Sequence, residues 1–81
     1  MANKLQPLSH LSQGSKAIVH HFGGGKNLSK RLLVLGFTKG VEVTVQQNSG
    51  FGPVIVLIRD SRIALGRGEA KKVMVEKNNY E

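Results

Sequence analysis

The chain has no cysteine and few aromatic residues, and each shortage excludes a class of protein. Without cysteine, its 81 residues can form neither a disulfide framework nor a thiolate metal site. Three phenylalanines and one tyrosine leave few surfaces on which nucleic-acid bases could stack. Because it has only two prolines and is 40% apolar, the chain is expected to fold rather than to remain a disordered tail.

Long apolar stretches are missing as well. The longest uninterrupted apolar run is Val54–Ile58, far short of the roughly 18 residues that a membrane-spanning helix needs. The first 16 residues contain no apolar segment followed by a small-residue cleavage site, so we expect no signal peptide. These features predict a cytoplasmic protein. Its length predicts one small domain over residues 1–81, with a thin core over about 14–76 and loosely held ends.

Acidic residues are scarce: five Asp and Glu face twelve Lys and Arg, for a net charge of +7. Such an excess of positive charge can bind nucleic-acid phosphates, an acidic protein surface or an anionic membrane leaflet, or it can simply keep the protein in solution. The basic residues are scattered and form no long run. A small basic barrel that binds nucleic acid therefore stays open as an alternative function.

Short alternating segments dominate the rest of the chain and predict strands. We predict strands over the following ranges: Lys16–Phe22, Val41–Val45, Val54–Arg59, Arg62–Leu65 and Val73–Val75. Asp60-Ser61 is predicted as a hairpin turn, and Gly68–Lys72 as one helical turn. Met1–His10 is expected to be loosely held, with Pro7, Leu8 and Leu11 able to pin it to the domain.

One helix is predicted in the middle of the chain. Asn27 can cap its start, and its core face is set by Leu28, Leu32 and Leu35 at helical spacing. The neighbouring Leu33 and Val34 suggest burial on more than one side. Gly36 is expected to end the helix in the left-handed conformation, with Phe37 packing back on Leu32. Gly40 is expected to make a second turn, so we assign both glycines structural roles.

These elements predict a mainly β fold. Five short strands can best hide their edges by curling into a small barrel, so we predict an SH3-like barrel of about five strands with one short inserted α-helix.

Two motifs suggest chemistry that their details do not support. Gly23–Asn27 (GGGKN) resembles a phosphate-binding loop, but His20 stands where its first glycine belongs and Asn27 replaces its Ser or Thr. His20 and His21 suggest a metal, but adjacent strand residues point to opposite faces, and a dedicated site needs three or four ligands. No Ser, His and acid follow a catalytic pattern. We therefore predict no enzyme, no cofactor and no intrinsic metal site.

Exposed cations and one loop aromatic are the candidate contacts with a partner. Lys30 and Arg31 lie off the core face of the helix, and Arg62 and Arg67 follow the Asp60-Ser61 turn. Phe51, in the glycine-rich loop Gln47–Pro53, is either an exposed anchor for a partner or a core aromatic folded under the loop. For the arginines, the alternative is ordinary solubilising charge that protects an edge strand.

Three segments together resemble the FeoA family. They are RLLVLGFTKGVEVTV (Arg31–Val45), GPVIVLIRDSRIAL (Gly52–Leu65) and GEAKKVMV (Gly68–Val75), and the resemblance covers Gly14 to about Glu76. The chain departs from the family pattern at Lys39, where proline is common, and at Gly66, which separates Ala64-Leu65 from Arg67.

The resemblance implies an SH3-like barrel and a role as a cytosolic accessory of ferrous iron uptake. It implies one partner, the membrane transporter FeoB through its cytoplasmic region, and it carries over no catalytic residue. The same module occurs at the C-terminus of repressors similar to DtxR, but this chain has no DNA-binding helix pair. A ligand- or metal-sensing module is the third hypothesis. It requires stoichiometric Fe²⁺ or Mn²⁺ binding by this chain alone, and we expect only weak surface contact with these ions.

Overall fold

A computed structural model describes residues 4–77 as one six-stranded antiparallel sheet with two helices. The strand order across the sheet is β1-β6-β2-β3-β4-β5. The strands are β1 (Leu5–Pro7), β2 (Lys16–Phe22), β3 (Glu42–Gln47), β4 (Val54–Ile58), β5 (Ser61–Leu65) and β6 (Val73–Lys77). The helices are α1 (Lys26–Leu35) and α2 (Arg67–Ala70), and a 3-10 turn occupies Leu8–His10. The predicted mainly β class is confirmed.

Period-two alternation builds the core, as the sequence predicts. Val43 and Val45 in β3, and Val54, Val56 and Ile58 in β4, are buried, while the residues between them face outward. The β4–β5 hairpin differs from the prediction in one detail. Because Ile58 pairs with Ser61, its two-residue turn is Arg59-Asp60 rather than Asp60-Ser61.

The start of the chain is part of the sheet, so the predicted loose start is wrong for residues 5–10. Leu5–Pro7 pair with β6, which adds the sixth strand, and Leu8 in the following turn is fully buried. Backbone pairing and burial of Leu8 both hold this segment. Leu11 is buried beside it, as the sequence suggested. Residues 1–3 and 78–81 lie outside the described residues, as does the prediction for those ends.

The helix α1 begins differently from the prediction and ends as predicted. Gly25, with φ 91°, precedes the first helical residue, so Asn27 lies inside the helix and does not cap it. At the other end Gly36 has φ 105°, and the Phe37 N–H donates to the Leu32 carbonyl at 2.9 Å. The Gly36 N–H donates to Leu33, which completes a Schellman ending.

A β-bulge in β2 changes the direction of the two adjacent histidines. Val19 pairs with Val75 and His21 pairs with Met74, so two residues of β2 oppose a single residue of β6. The inward positions therefore shift from Ala17 and Val19 to Phe22, and His20 and His21 are both exposed. The premise that these two side chains point to opposite faces is wrong, because the extra residue breaks the alternation.

Candidate interaction surface

Helix α1 presents a basic and apolar surface to solvent. Leu32 is buried, and Leu28 and Leu35 pack against the core. On the outer side, Leu33 is 51% exposed and Val34 is 87% exposed. The expectation that these two residues bury the helix on a second side is wrong, because no other element within residues 4–77 covers them.

Charge adds to this apolar surface. Lys26, Lys30 and Arg31 are exposed, and the helix contains no acidic residue. At 100° per residue, Val34 falls near Lys30 and opposite the core face. We call Lys30, Leu33 and Val34 the α1 surface. It combines exposed apolar side chains with positive charge, which suits an apolar contact with an acidic rim.

Arg31 joins α1 to α2. Its guanidinium forms an ion pair with Glu69, whose other carboxylate oxygen accepts a hydrogen bond from the Gly66 N–H at 3.1 Å. The Arg31 side chain stays about half exposed, so solvent screens the pair and its contribution to stability is small. The main effect of this contact is to orient Arg31 at the rim of the α1 surface.

The loop between β3 and β4 holds Phe51 in solvent. Phe51 is 79% exposed and lies between Gly50 and Gly52, which have φ of 93° and 73°. Of the two readings that the sequence left open, the structure shows the exposed one. Aromatic side chains supply much of the binding energy in many interfaces, so Phe51 is a candidate anchor for a partner.

Asn48 fastens this loop to the start of the chain. Its amide nitrogen donates to the carbonyls of Ser9 at 2.9 Å and Leu11 at 2.7 Å. Its side-chain oxygen accepts from the Gly50 N–H at 3.2 Å. Sequence reasoning missed Asn48, because two of its partners lie 39 and 37 residues away in the chain.

Arg67 supports the same loop. Its Nη2 donates to the Asn48 side-chain oxygen at 2.7 Å, and its Nε donates to the Gly52 carbonyl at 3.2 Å. The side chain is half-buried. The structure thus shows Arg67 as a residue that positions the Phe51 loop, and its contact with a partner stays a prediction.

Arg62 lies apart from the other candidates. It pairs with Leu57 on the outer side of the edge strand β5 and borders a shallow groove of about 470 Å³. The groove is also lined by residues of β3, of β4 and of the loop before β2: Gln13, Gly14, Val45, Gln46, Gln47 and Ile55. The five predicted contact residues therefore lie in three places: on α1, at the Phe51 loop and on β5. The short helix α2 connects the first two, because its Glu69 pairs with Arg31 and its Arg67 holds the loop.

Residues 4–77 lack two features, a membrane-spanning helix and a cluster of metal ligands. No helix in this range is long and apolar enough to cross a membrane. Within the same range, no group of three or more His, Cys, Asp or Glu side chains is placed to hold a metal ion.

Sequence relatives match the chain over nearly its whole length. The FeoA domain family model matches residues 6–77. An Fe(2+) transport protein A of Methanocaldococcus jannaschii is 37% identical over 76 residues, which cover 94% of this chain and 92% of that protein. A fusion of Fe(2+) transport protein A with the Fe(2+) transporter FeoB, from Porphyromonas gingivalis, is 36% identical over 70 residues. That match covers 85% of this chain and 8% of the fusion protein.

Solved structures agree with the sequence matches. A FeoA described as an iron uptake regulatory protein superposes with a TM-score of 0.87 at 36% identity, covering 93% of this chain and all of that one. Stenotrophomonas maltophilia FeoA, solved with zinc and described as a prokaryotic SH3 domain protein, superposes with a TM-score of 0.77 at 33% identity. The match covers 88% of this chain and 89% of that one, and it confirms the SH3-like fold. The chain belongs to the FeoA family.

Proposed function

We propose that this protein is a non-enzymatic, cytosolic accessory of ferrous iron uptake that binds the cytoplasmic region of a FeoB-type transporter and regulates it. One observation carries the proposal: in the P. gingivalis relative, an A protein and FeoB form one chain. A covalent link keeps two modules at a high effective concentration, so it favours pairs that act together. The M. jannaschii relative supports the same process through its name, Fe(2+) transport protein A.

The α1 surface is the first contact that we propose for FeoB. Leu33 and Val34 are exposed apolar side chains on a regular helix, and Lys30 adds positive charge beside them. The buried Phe37 and the Schellman ending fix the direction of the helix, so little ordering is required on binding. The complementary site on FeoB is an apolar depression with acidic residues at its rim.

The Phe51 loop is the second proposed contact. An exposed aromatic supplies a large apolar contact area at low entropic cost, because its side chain has only two rotatable bonds. Asn48 and Arg67 hold the loop in place before any partner arrives. Arg67 therefore acts on binding through the position of Phe51, and Arg62 is the weakest of the proposed contacts because it lies elsewhere.

Binding to purified FeoB at physiological salt tests the proposal, with and without guanine nucleotide. We expect Val34→Asp to abolish binding and Phe51→Ala to weaken it. Phe51→Ala should keep the wild-type melting temperature because its side chain is exposed, and Val34→Asp should lower it only slightly, because an acidic residue in the last turn of α1 opposes the helix dipole. Lys30→Glu should slow association, since charge at a rim acts mainly on the association rate. Lys16→Glu makes the same change in net charge at another exposed position and serves as its control.

A second experiment measures the biological role directly. Deleting the gene should reduce FeoB-dependent Fe²⁺ uptake, and the wild-type chain should restore it where Val34→Asp does not. Uptake that is unchanged on deletion would reject the proposed function. Binding to FeoB that survives in Val34→Asp and Phe51→Ala would reject only the surface. Binding that disappears at physiological salt would indicate attraction through net charge alone.

A further inference from the structure

The bulge in β2 creates a paired arrangement of two histidines that the sequence alone argues against. His20 Nδ1 and His21 Nδ1 lie 2.9 Å apart, and the two rings meet at 77° with centroids 5.2 Å apart. Both side chains are exposed on the outer face of the sheet. The strand backbone, held on one side by pairing with β6, keeps the two imidazoles adjacent.

A hydrogen bond between these nitrogens needs a proton on one Nδ1 and a free lone pair on the other, and either ring can be the donor. In the neutral pair, one ring carries its proton on Nδ1 and donates it to the unprotonated Nδ1 of the other ring. A metal ion needs both Nδ1 lone pairs, so the donor ring must change to the tautomer that carries its proton on Nε2. That change releases no proton overall and involves no oxidation or reduction.

We propose that His20 and His21 form an open, two-nitrogen site for a divalent late transition-metal ion, completed by water. With metal–nitrogen bonds of about 2.0–2.1 Å, nitrogens at this separation subtend an angle of about 90° at the metal. Tetrahedral coordination would need about 3.3 Å between them. Because both side chains are exposed, the rings can turn by the few tenths of an ångström that separate these geometries, so the pair can occupy neighbouring positions of Cu²⁺, Ni²⁺, Fe²⁺ or Zn²⁺.

Exposure defines what kind of site this is. Two protein ligands leave the remaining coordination positions open to water, so the ion would exchange readily and would not be a structural ion. Among residues 4–77, no third His, Cys, Asp or Glu completes the set. The site does not depend on the proposed binding to FeoB, since it lies on β2 and includes no residue of the α1 surface or the Phe51 loop.

The test uses the full chain without an affinity tag, because added histidines would bind the same ions. Calorimetric titration with Ni²⁺, and with Fe²⁺ under anaerobic conditions, should show one site per chain. His20→Ala and His21→Ala should each weaken binding about tenfold or more, because the second nitrogen binds as an intramolecular ligand. His10→Ala is the matched control: His10 is the third histidine, is exposed, and lies in the 3-10 turn. It should leave the affinity unchanged.

Three outcomes would overturn the site. They are no measurable binding of Ni²⁺, equal weakening by all three alanine variants, and binding that persists in the double variant His20→Ala/His21→Ala. A hydrogen bond between the rings and nothing more would give the first outcome. Circular dichroism of each variant should match the wild type, since all three side chains are exposed.

Discussion

The two exposed apolar sites of this protein are held in place by different forces. Leu33 and Val34 project from a helix whose other face and C-terminal end are buried in the core. Phe51 projects from a loop that depends on the hydrogen bonds of Asn48 and Arg67. The α1 surface therefore depends on the stability of the whole domain, whereas the Phe51 loop can be loosened while the core stays folded.

The largest expected effect is on stability, and it should differ between a buried and an exposed phenylalanine. Phe37→Ala should lower the free energy of unfolding by about 3–5 kcal/mol, because it leaves a cavity under the end of α1. Phe51→Ala, at 79% exposure, should change it by less than about 0.5 kcal/mol. Urea unfolding of both variants measures the difference. Equal losses would mean that the Phe51 loop also carries core stability.

The next effect tests the backbone at the end of α1. Gly36→Val should cost more than about 1 kcal/mol, because φ of 105° is unfavourable for any side chain. A Cβ at this position would meet only Ile58 Cγ2, at an ordinary 3.6 Å, so the cost comes from φ. Gly36→Ala should therefore cost nearly as much, and Gly36→Asn less. An unchanged melting temperature for the valine variant would contradict the assigned ending.

The third effect concerns the hydrogen bonds through which Asn48 holds the Phe51 loop. Asn48→Ala should lower stability by about 1–3 kcal/mol, because the carbonyls of Ser9 and Leu11 lose their donor. Amide hydrogen exchange at Gly50 should become faster, since its N–H loses the Asn48 oxygen. Gln47→Ala, at the exposed preceding residue, is the control. Unchanged exchange at Gly50 would show that the loop does not depend on Asn48.

The smallest expected effect on stability comes from the side chain of Ser9, whose carbonyl and hydroxyl oxygens have different roles. The loop uses its carbonyl, whereas its buried hydroxyl has no hydrogen-bond partner among residues 4–77. Ser9→Ala removes only the hydroxyl, so stability should be unchanged or should rise by up to about 1 kcal/mol. Ser49→Ala, at an exposed loop position, provides the baseline. If Ser9→Ala instead lowers stability relative to Ser49→Ala, the hydroxyl has a hydrogen-bond partner, such as a bound water.

Sequence patterns predicted those parts of the fold that depend on neighbours along the chain. The alternation of Val43 and Val45 and the position of Gly36 each follow from a local rule. The exposure of Val34 could also have been read from the sequence, since the helical period places it beside Lys30. The apolar character of Val34 favoured a second buried face, and only the arrangement of the other described elements shows that it stays exposed.

Features that depend on distant partners could not be predicted in the same way. Asn48 gains its role from Ser9 and Leu11 near the start of the chain and from Arg67 near its end, two distant segments that the fold brings to it. The bulge at His20 depends on pairing with β6, although one signal was present: apolar residues at Ala17, Val19 and Phe22 break the period of two. That break leaves two adjacent polar residues and is typical of a bulge.

The pairing of β1 with β6 has a consequence for how this domain can be rearranged. Leu5 is the register partner of Glu76, and the two strands are antiparallel. The first strand therefore begins at the corner of the sheet where the last strand ends. A short linker could close this corner, and new ends could be opened at the exposed Arg59-Asp60 turn. Such a circular permutant would keep α1 and the Phe51 loop intact.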